Sequence, residues 1–233
     1  MPCESALPLV LIPGFMLDES LWNEVVEHLP FKRKVHRANL LQGHTIAEIA
    51  QNIAADAPPR FVLIGFSLGG YVARSLVQQF PDRVAGLVLI ATSLRPDTPV
   101  QQRLKQTAVK ASAQGQFRGL SSVSISQSVN PLRANDNALI GRIREMGQRM
   151  GHDVFARQSL LVRNEISSCT IHCPTLIIAG AQDKLRLPEE ARELRDAIPG
   201  ARLEVVEESG HMIPLEQPEK LALLISHWLD SMG

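Results

Sequence analysis

The sequence predicts a doubly wound α/β fold, a mainly parallel sheet with helices on both faces and a helical cap inserted after the strand at about 83–91. Three observations carry this. Short β-branched and aliphatic runs, each bounded by Gly, Pro or charged residues, alternate with longer segments whose apolar residues recur three and four apart. Most of the short runs are apolar throughout, as expected of parallel strands buried on both faces. From about Pro96 to Ser168 the alternation stops, and only helical periodicity remains.

Taken in order, Leu7 to Ile12 reads as a strand stopped by Pro13-Gly14, and Glu19 to Leu29 as a helix. Lys34 to Leu40 is a weaker strand, polar at alternate positions. Thr45 to Ala55 is helical, Phe61 to Ile64 a strand, Leu68 to Phe80 a helix and Arg83 to Ala91 a strand. In the inserted block "VQQRLKQTAVKASAQ", "NDNALIGRIREMGQRMG" and "HDVFARQSLLVRN" are each helical, and Ser121 to Ser128, "SSVSISQS", reads as a loop or a frayed helix end. The rhythm resumes with a strand at Thr175 to Ala179, a helix at Pro188 to Ile198, a strand at Leu203 to Val206 and a helix at Pro218 to Leu229. Right-handed crossovers follow from the βαβ order. Residues 1–95 and 169–233 are thus expected to form the core. Residues 96–168 form a cap in the same domain, emerging at the carboxyl edge of the sheet, where sites of open α/β folds lie.

A chain of 233 residues holds one such domain with an insertion. Twenty-four basic side chains balance 24 acidic ones, so nothing favours nucleic acid, an anionic membrane or a polyanionic partner. No stretch is long enough for a membrane helix, and no basic-then-apolar leader precedes the first strand. The three cysteines, Cys3, Cys169 and Cys173, do not form the framework of a secreted scaffold, so a reducing cytoplasm is expected. Cys169, His172 and Cys173 lie close together, but a closed zinc site needs about four ligands and no second Cys/His cluster completes it. No metal or cofactor is expected.

The chemistry concentrates in "VLIGFSLGGYVARSLV", residues 62–77. Gly65-Phe66-Ser67-Leu68-Gly69 fits G-x-S-x-G, with an apolar strand before it and an amphipathic helix after it, the setting that pattern requires. A turn this tight forces the serine into a strained backbone conformation and brings neighbouring chain against Gly65 and Gly69. Ser67 then stands above the sheet edge, and the N–H of Leu68, first in the helix, can face a developing oxyanion.

A serine hydroxyl needs a base, and the base needs an orienting group. Of seven histidines, His211 in "VVEESGHMIPLEQPEK" follows the last strand, beside Gly210, in a loop at the carboxyl edge. The others fall within helices, in an outer strand, before a helix or strand, or in the cap. Asp183 in "LIIAGAQDKLRLPEEA" follows an apolar strand at the same edge; Asp97, after the preceding strand, is its rival. The order serine, aspartate, histidine is one of the known triad orders. The second oxyanion donor is expected from the loop after the first strand, at Phe15 N–H, with Met16 as the neighbouring choice. An apolar pocket is expected, lined by Phe15, Met16 and Met212 from the core and by Met146, Met150 and Phe155 from the cap.

On "LIPGF…LW", "GFSLGG", "LVLIATS", "CPTLIIAGAQDKL" and "SGHMIPLEQPE", which span nearly the whole chain, the sequence resembles the α/β-hydrolase superfamily. It is most similar to small, cap-bearing bacterial hydrolases such as carboxylesterases of the pimeloyl-ester type and enol-lactonases. The resemblance implies cleavage of a small-molecule ester, with a cap that carries substrate choice. Relatives usually have His-Gly where this chain has Pro13-Gly14, so a side chain that commonly braces the oxyanion loop is missing. Many also carry an antiparallel hairpin before the first central strand. Ser67 in place of aspartate argues against the dehalogenases and epoxide hydrolases of the same fold. Enol-lactones, thioesters and the carbon–carbon bond of a β-diketone would use the same machinery. A small-molecule receptor on this fold is the alternative from another class.

Overall fold

A computed structural model of the chain describes residues 7–30, 33–113, 116–163 and 171–232. Cys3, Cys169 and the end of the expected cap at Ser168 lie outside them.

Six strands form one parallel sheet: β1 (Leu9–Ile12), β2 (Val35–Arg37), β3 (Phe61–Phe66), β4 (Val84–Ile90), β5 (Thr175–Gly180) and β6 (Arg202–Val206), in the spatial order β2-β1-β3-β4-β5-β6. The period of two along each strand divides the core. Leu9, Leu11, Val62, Ile64, Val88, Ile90, Leu176 and Ile178 face one side. Val10, Ile12, Leu63, Leu87, Leu89 and Ile177 face the other. Each fully buried aliphatic side chain contributes roughly 1.5–3 kcal/mol, so the central strands must be apolar on both faces. The weak strand shrinks to three half-buried residues at one edge, and β6 at the other edge is largely exposed; such short or polar edges resist pairing with another chain.

On one face α1 (Asn23–Glu27) packs against the C-terminal helix α9 (Pro218–Asp230) beside the short α8 (Ile213–Glu216). Helices α2 (Ile46–Asp56), α3 (Leu68–Gln79) and α7 (Pro188–Ala197) cover the opposite face. The first expected helix splits, because Asp18 accepts a hydrogen bond from Ser20 N at 3.0 Å and tightens Glu19–Trp22 into a 3-10 turn before α1.

Between β4 and β5 the described residues hold helices without a strand: α4 (Pro99–Ser112), α5 (Ser122–Ser128) and α6 (Asn137–Ser159). The patch read as a loop or frayed end is α5. Ser121 caps it by accepting from Ser124 N at 3.2 Å, and Ile125 with Val129 anchors it in the main core. Two expected helices run together as α6, which bends where Gly151 takes φ 81°. Leu139, Ile140, Ile143 and Met146 of its first half join the same core as the sheet, so the insertion is packed onto the core. No helix among the described residues is long and apolar enough to cross a membrane.

Candidate active site

The sheet order doubles back between β1 and β3, since β2 lies to one side of β1 and every later strand to the other. The loops leaving these two strands therefore diverge and leave a crevice at their carboxyl ends. Ser67 closes β3 there. Its φ is 52° and ψ −113°, a conformation costing about 1–3 kcal/mol. The surroundings enforce it: Ser67 N donates to Ile90 O at 2.9 Å, and Ser67 O accepts from Gly70 N at 3.0 Å and from Thr92 Oγ1 at 2.9 Å. A methyl group at Gly65 would stand 2.5 Å from Gly69 O, and one at Gly69 would stand 2.4 Å from Pro13 O. Both positions have room for hydrogen only.

Asp183 follows β5 and is 2% exposed. Its Oδ1 accepts from the N–H groups of Leu185 at 2.8 Å and Arg186 at 2.9 Å, which leaves Oδ2 facing His211 Nδ1 at 2.8 Å. An ionised carboxylate only accepts, so Nδ1 carries the proton and Nε2 of the neutral ring is an acceptor. Ser67 Oγ lies 2.9 Å from that Nε2. The three residues thus form one continuous relay. Phe66 packs against the imidazole, with ring centroids 5.2 Å apart.

The histidine loop is held by residues that sequence reading did not single out. Glu216 is buried, and its two oxygens accept from Asn130 N at 2.6 Å and Gly210 N at 3.0 Å. Burial pushes its carboxyl above the usual range, while these backbone bonds act against the shift. His211 N donates to Ser128 O at 2.8 Å, so the last turn of α5 braces the His211 loop.

Phe15 and Met16 lie in the loop after β1. Met16 has φ 54°, and its N–H is taken up by Gln158 Oε1 of α6 at 2.8 Å; Gln158 Nε2 donates in turn to Leu40 O at 3.2 Å. The amide of Met16 is therefore committed, whereas Leu68 opens α3, where an N–H has no acceptor within its own helix. A polar residue three and four positions on from Phe155 and Val154, on the apolar stripe of α6, was the signal for Gln158.

A cavity of about 760 Å³ opens at Ser67 and His211 and runs between the core and the inserted helices. Phe15, Met212 and Phe155 line it, together with Leu17, Phe66 and Phe117. Met16, Met146 and Met150 do not: they are buried in packing, Met16 and Met150 in a small cluster with Phe155 and Met146 in the main core. Helical period places an apolar residue on a face without saying whether that face meets a cavity or a neighbour. Asp97 stands apart from His211, paired with Arg163 at 3.1 Å and with Lys105. Among the described residues no group of three or more His, Cys, Asp or Glu side chains could hold a metal ion.

The family described as alpha/beta hydrolase fold matches residues 8–218. The chain belongs to this family. A pimeloyl–acyl-carrier-protein methyl ester esterase of Aromatoleum aromaticum is 28% identical to it, over 93% of this chain and 96% of that protein. Among solved structures, a thermophilic esterase from Thermogutta terrifontis with malate bound superposes with a TM-score of 0.86 at 26% identity, covering 98% of this α/β-hydrolase and 91% of the esterase. The enol-lactonase of Burkholderia xenovorans shares the fold, with a TM-score of 0.84 at 21% identity over 99% and 94% of the two chains. Two of these three similar proteins are named esterases and the third an enol-lactonase, consistent with this α/β-hydrolase being a hydrolase of ester bonds.

Proposed function

We propose that the protein is a serine hydrolase that cleaves small, largely apolar carboxylic esters through an acyl-enzyme. The single observation carrying this reading is the unbroken line from Asp183 Oδ2 to His211 Nδ1 at 2.8 Å and from His211 Nε2 to Ser67 Oγ at 2.9 Å. Ser67 Oγ attacks the ester carbonyl while His211 Nε2 takes its proton. Asp183 holds the tautomer and stabilises the imidazolium. The oxyanion is received by the N–H groups of Phe15 and Leu68; removing one such donor typically costs a hundredfold to a thousandfold in rate. His211 then protonates the leaving alcohol, and water attacks the acyl group with His211 again as base, releasing the acid and restoring Ser67.

The cavity falls within the range of roughly 300–1,000 Å³ typical of small-molecule sites, and the aromatic side chains along it suit an apolar body. Lactones, thioesters and β-diketones would pass through the same machinery; the methyl-ester substrate in the relative's name favours an ester. The inserted helices are read as the cap that selects substrate, since residues 101–112, 116–128 and 143–163 supply much of the lining. A cytoplasmic setting belongs to the same proposal, supported by the free thiol of Cys173, which burial makes harder to ionise.

Ser67→Ala tests the reading. Hydrolysis of a short activated ester is expected to fall by about four orders of magnitude, with the fold intact by circular dichroism. A small organophosphonate is expected to label Ser67 in the wild type, seen by peptide mass. Retention of a tenth of the activity, or labelling elsewhere, would remove Ser67 as nucleophile.

A further inference from the structure

One wall of the cavity is charged where much of the remainder is apolar. Asp97, Lys105, Arg163 and Arg186 line the same cavity as Ser67 and His211. Asp97 Oδ1 accepts from Arg163 Nη1 at 3.1 Å and Oδ2 from the Lys105 ammonium. Arg186 lies 3.5 Å from Glu190, and the guanidinium groups of Arg163 and Arg186 both stand over the Tyr71 ring, 5.3 and 5.8 Å from its centroid. Among the described residues the ion pairs of this wall thus set three cations against two carboxylates, an excess of one positive charge.

The imbalance has two independent marks. The Arg163 side chain is only 9% exposed, yet its Nε has no hydrogen-bond partner among the described residues. A buried donor left unpaired carries its full desolvation cost, so the wall is not closed by hydrogen bonds of its own. Burial, then the nearby Arg163 and Arg186, pulls the Lys105 ammonium down to about 8 even though it holds a carboxylate. A purely structural ion-pair network would be expected to close its charge and its donors.

We infer that this wall is a subsite for a monoanion, the free carboxylate at the far end of the substrate, so that half-esters of dicarboxylic acids are preferred over plain alkanoate esters. The inference rests on the ester-hydrolase reading for the reacting end. One carboxylate neutralises the excess charge, whereas a phosphate dianion overshoots it. The planar forks of Arg163 and Arg186 match carboxylate geometry, and the apolar stretch between them and Ser67 would hold the connecting methylenes.

The test compares kcat/KM for mono-p-nitrophenyl esters of succinic through suberic acid with that for p-nitrophenyl alkanoates of matched length. Wild type is expected to favour the anionic series about tenfold or more at one chain length, a range measured for close charge pairs. Arg163→Met should lower that ratio about tenfold, with partial recovery in Arg163→Lys. Should Arg163→Met fail to fold, Arg186→Met, whose side chain is 15% exposed, reports the same ratio. Calorimetric titration of Ser67→Ala with monomethyl adipate, a monoanion, reads the subsite without turnover. Saturable binding that Arg186→Met weakens supports it even if no ester is cleaved, in which case only the hydrolase reading falls. Efficient cleavage of neutral esters with no preference for anionic ones at any length overturns the subsite and leaves the hydrolase reading standing. Inorganic phosphate binding more tightly than monomethyl adipate overturns the monoanion assignment.

Discussion

Ser67 shows how far a single torsion can be read in advance. Glycine on either side of a serine, at the step from an apolar strand to an amphipathic helix, implied a strained backbone with neighbouring chain pressed against it, and the φ of 52° with Pro13 O and Gly69 O crowding Gly69 and Gly65 fits that steric argument. Asp183 was the carboxylate that the sequence favoured, with Asp97 as its rival because both follow a strand at the same edge. In the fold it is Asp183 that reaches His211, while Asp97 is enclosed by Lys105 and Arg163. Asp183→Asn is expected to lower kcat on a neutral activated ester by about four orders of magnitude, because an amide nitrogen facing Nδ1 selects the tautomer that cannot accept the serine proton. A loss below about tenfold would take Asp183 out of the relay.

At the scale of elements, α6 does more than cover the cavity. Where the family resemblance leads one to expect a histidine bracing the loop after β1, this chain has Pro13. Gln158 of α6, 1% exposed, reaches across to tie Met16 N and Leu40 O instead. Phe15 packs on Phe155 of the same helix, with ring centroids 5.8 Å apart. The donor that would serve the oxyanion is thereby positioned by the insertion. Gln158→Leu keeps similar volume but leaves the Met16 N–H buried and unpaired, so a stability loss of about 1–3 kcal/mol is expected by denaturant titration. If Gln158 positions Phe15, kcat should fall with KM little changed; a stability loss with kcat intact would make it a packing residue only. No sequence pattern pairs a helical glutamine with an amide 142 residues earlier in the chain.

For the molecule as a whole, the His211 loop and the insertion share one core, and Glu216 sits at their junction, bonded to Gly210 N on one side and Asn130 N on the other. Because burial raises its carboxyl above the ordinary value, the folded chain keeps that proton at a pH where the unfolded chain has lost it. This contribution to stability is fully present below the unfolded value of about 4.5 and declines as pH rises through the folded one. Glu216→Gln removes the titration. It is expected to destabilise at every pH by loss of one of the two backbone bonds, with a wild-type advantage that narrows from pH ~4.5 upward. Urea midpoints of both proteins across that range provide the measurement; an advantage that widens with pH would mean the carboxyl is held low.

Strand and helix order, the doubly wound sheet, the place of the insertion and the choice of Ser67, Asp183 and His211 as candidates could be read from the sequence, because each depends on local period, turn chemistry or order along the chain. Three kinds of fact were not. Which methionines face a cavity depends on what the opposite element fills. The brace from Gln158 to Met16 and the assembly of Asp97, Lys105, Arg163 and Arg186 into one wall join residues far apart in the chain. Long-range contacts of this kind leave no periodic trace, so only the packing of the inserted helices onto the sheet edge decides them.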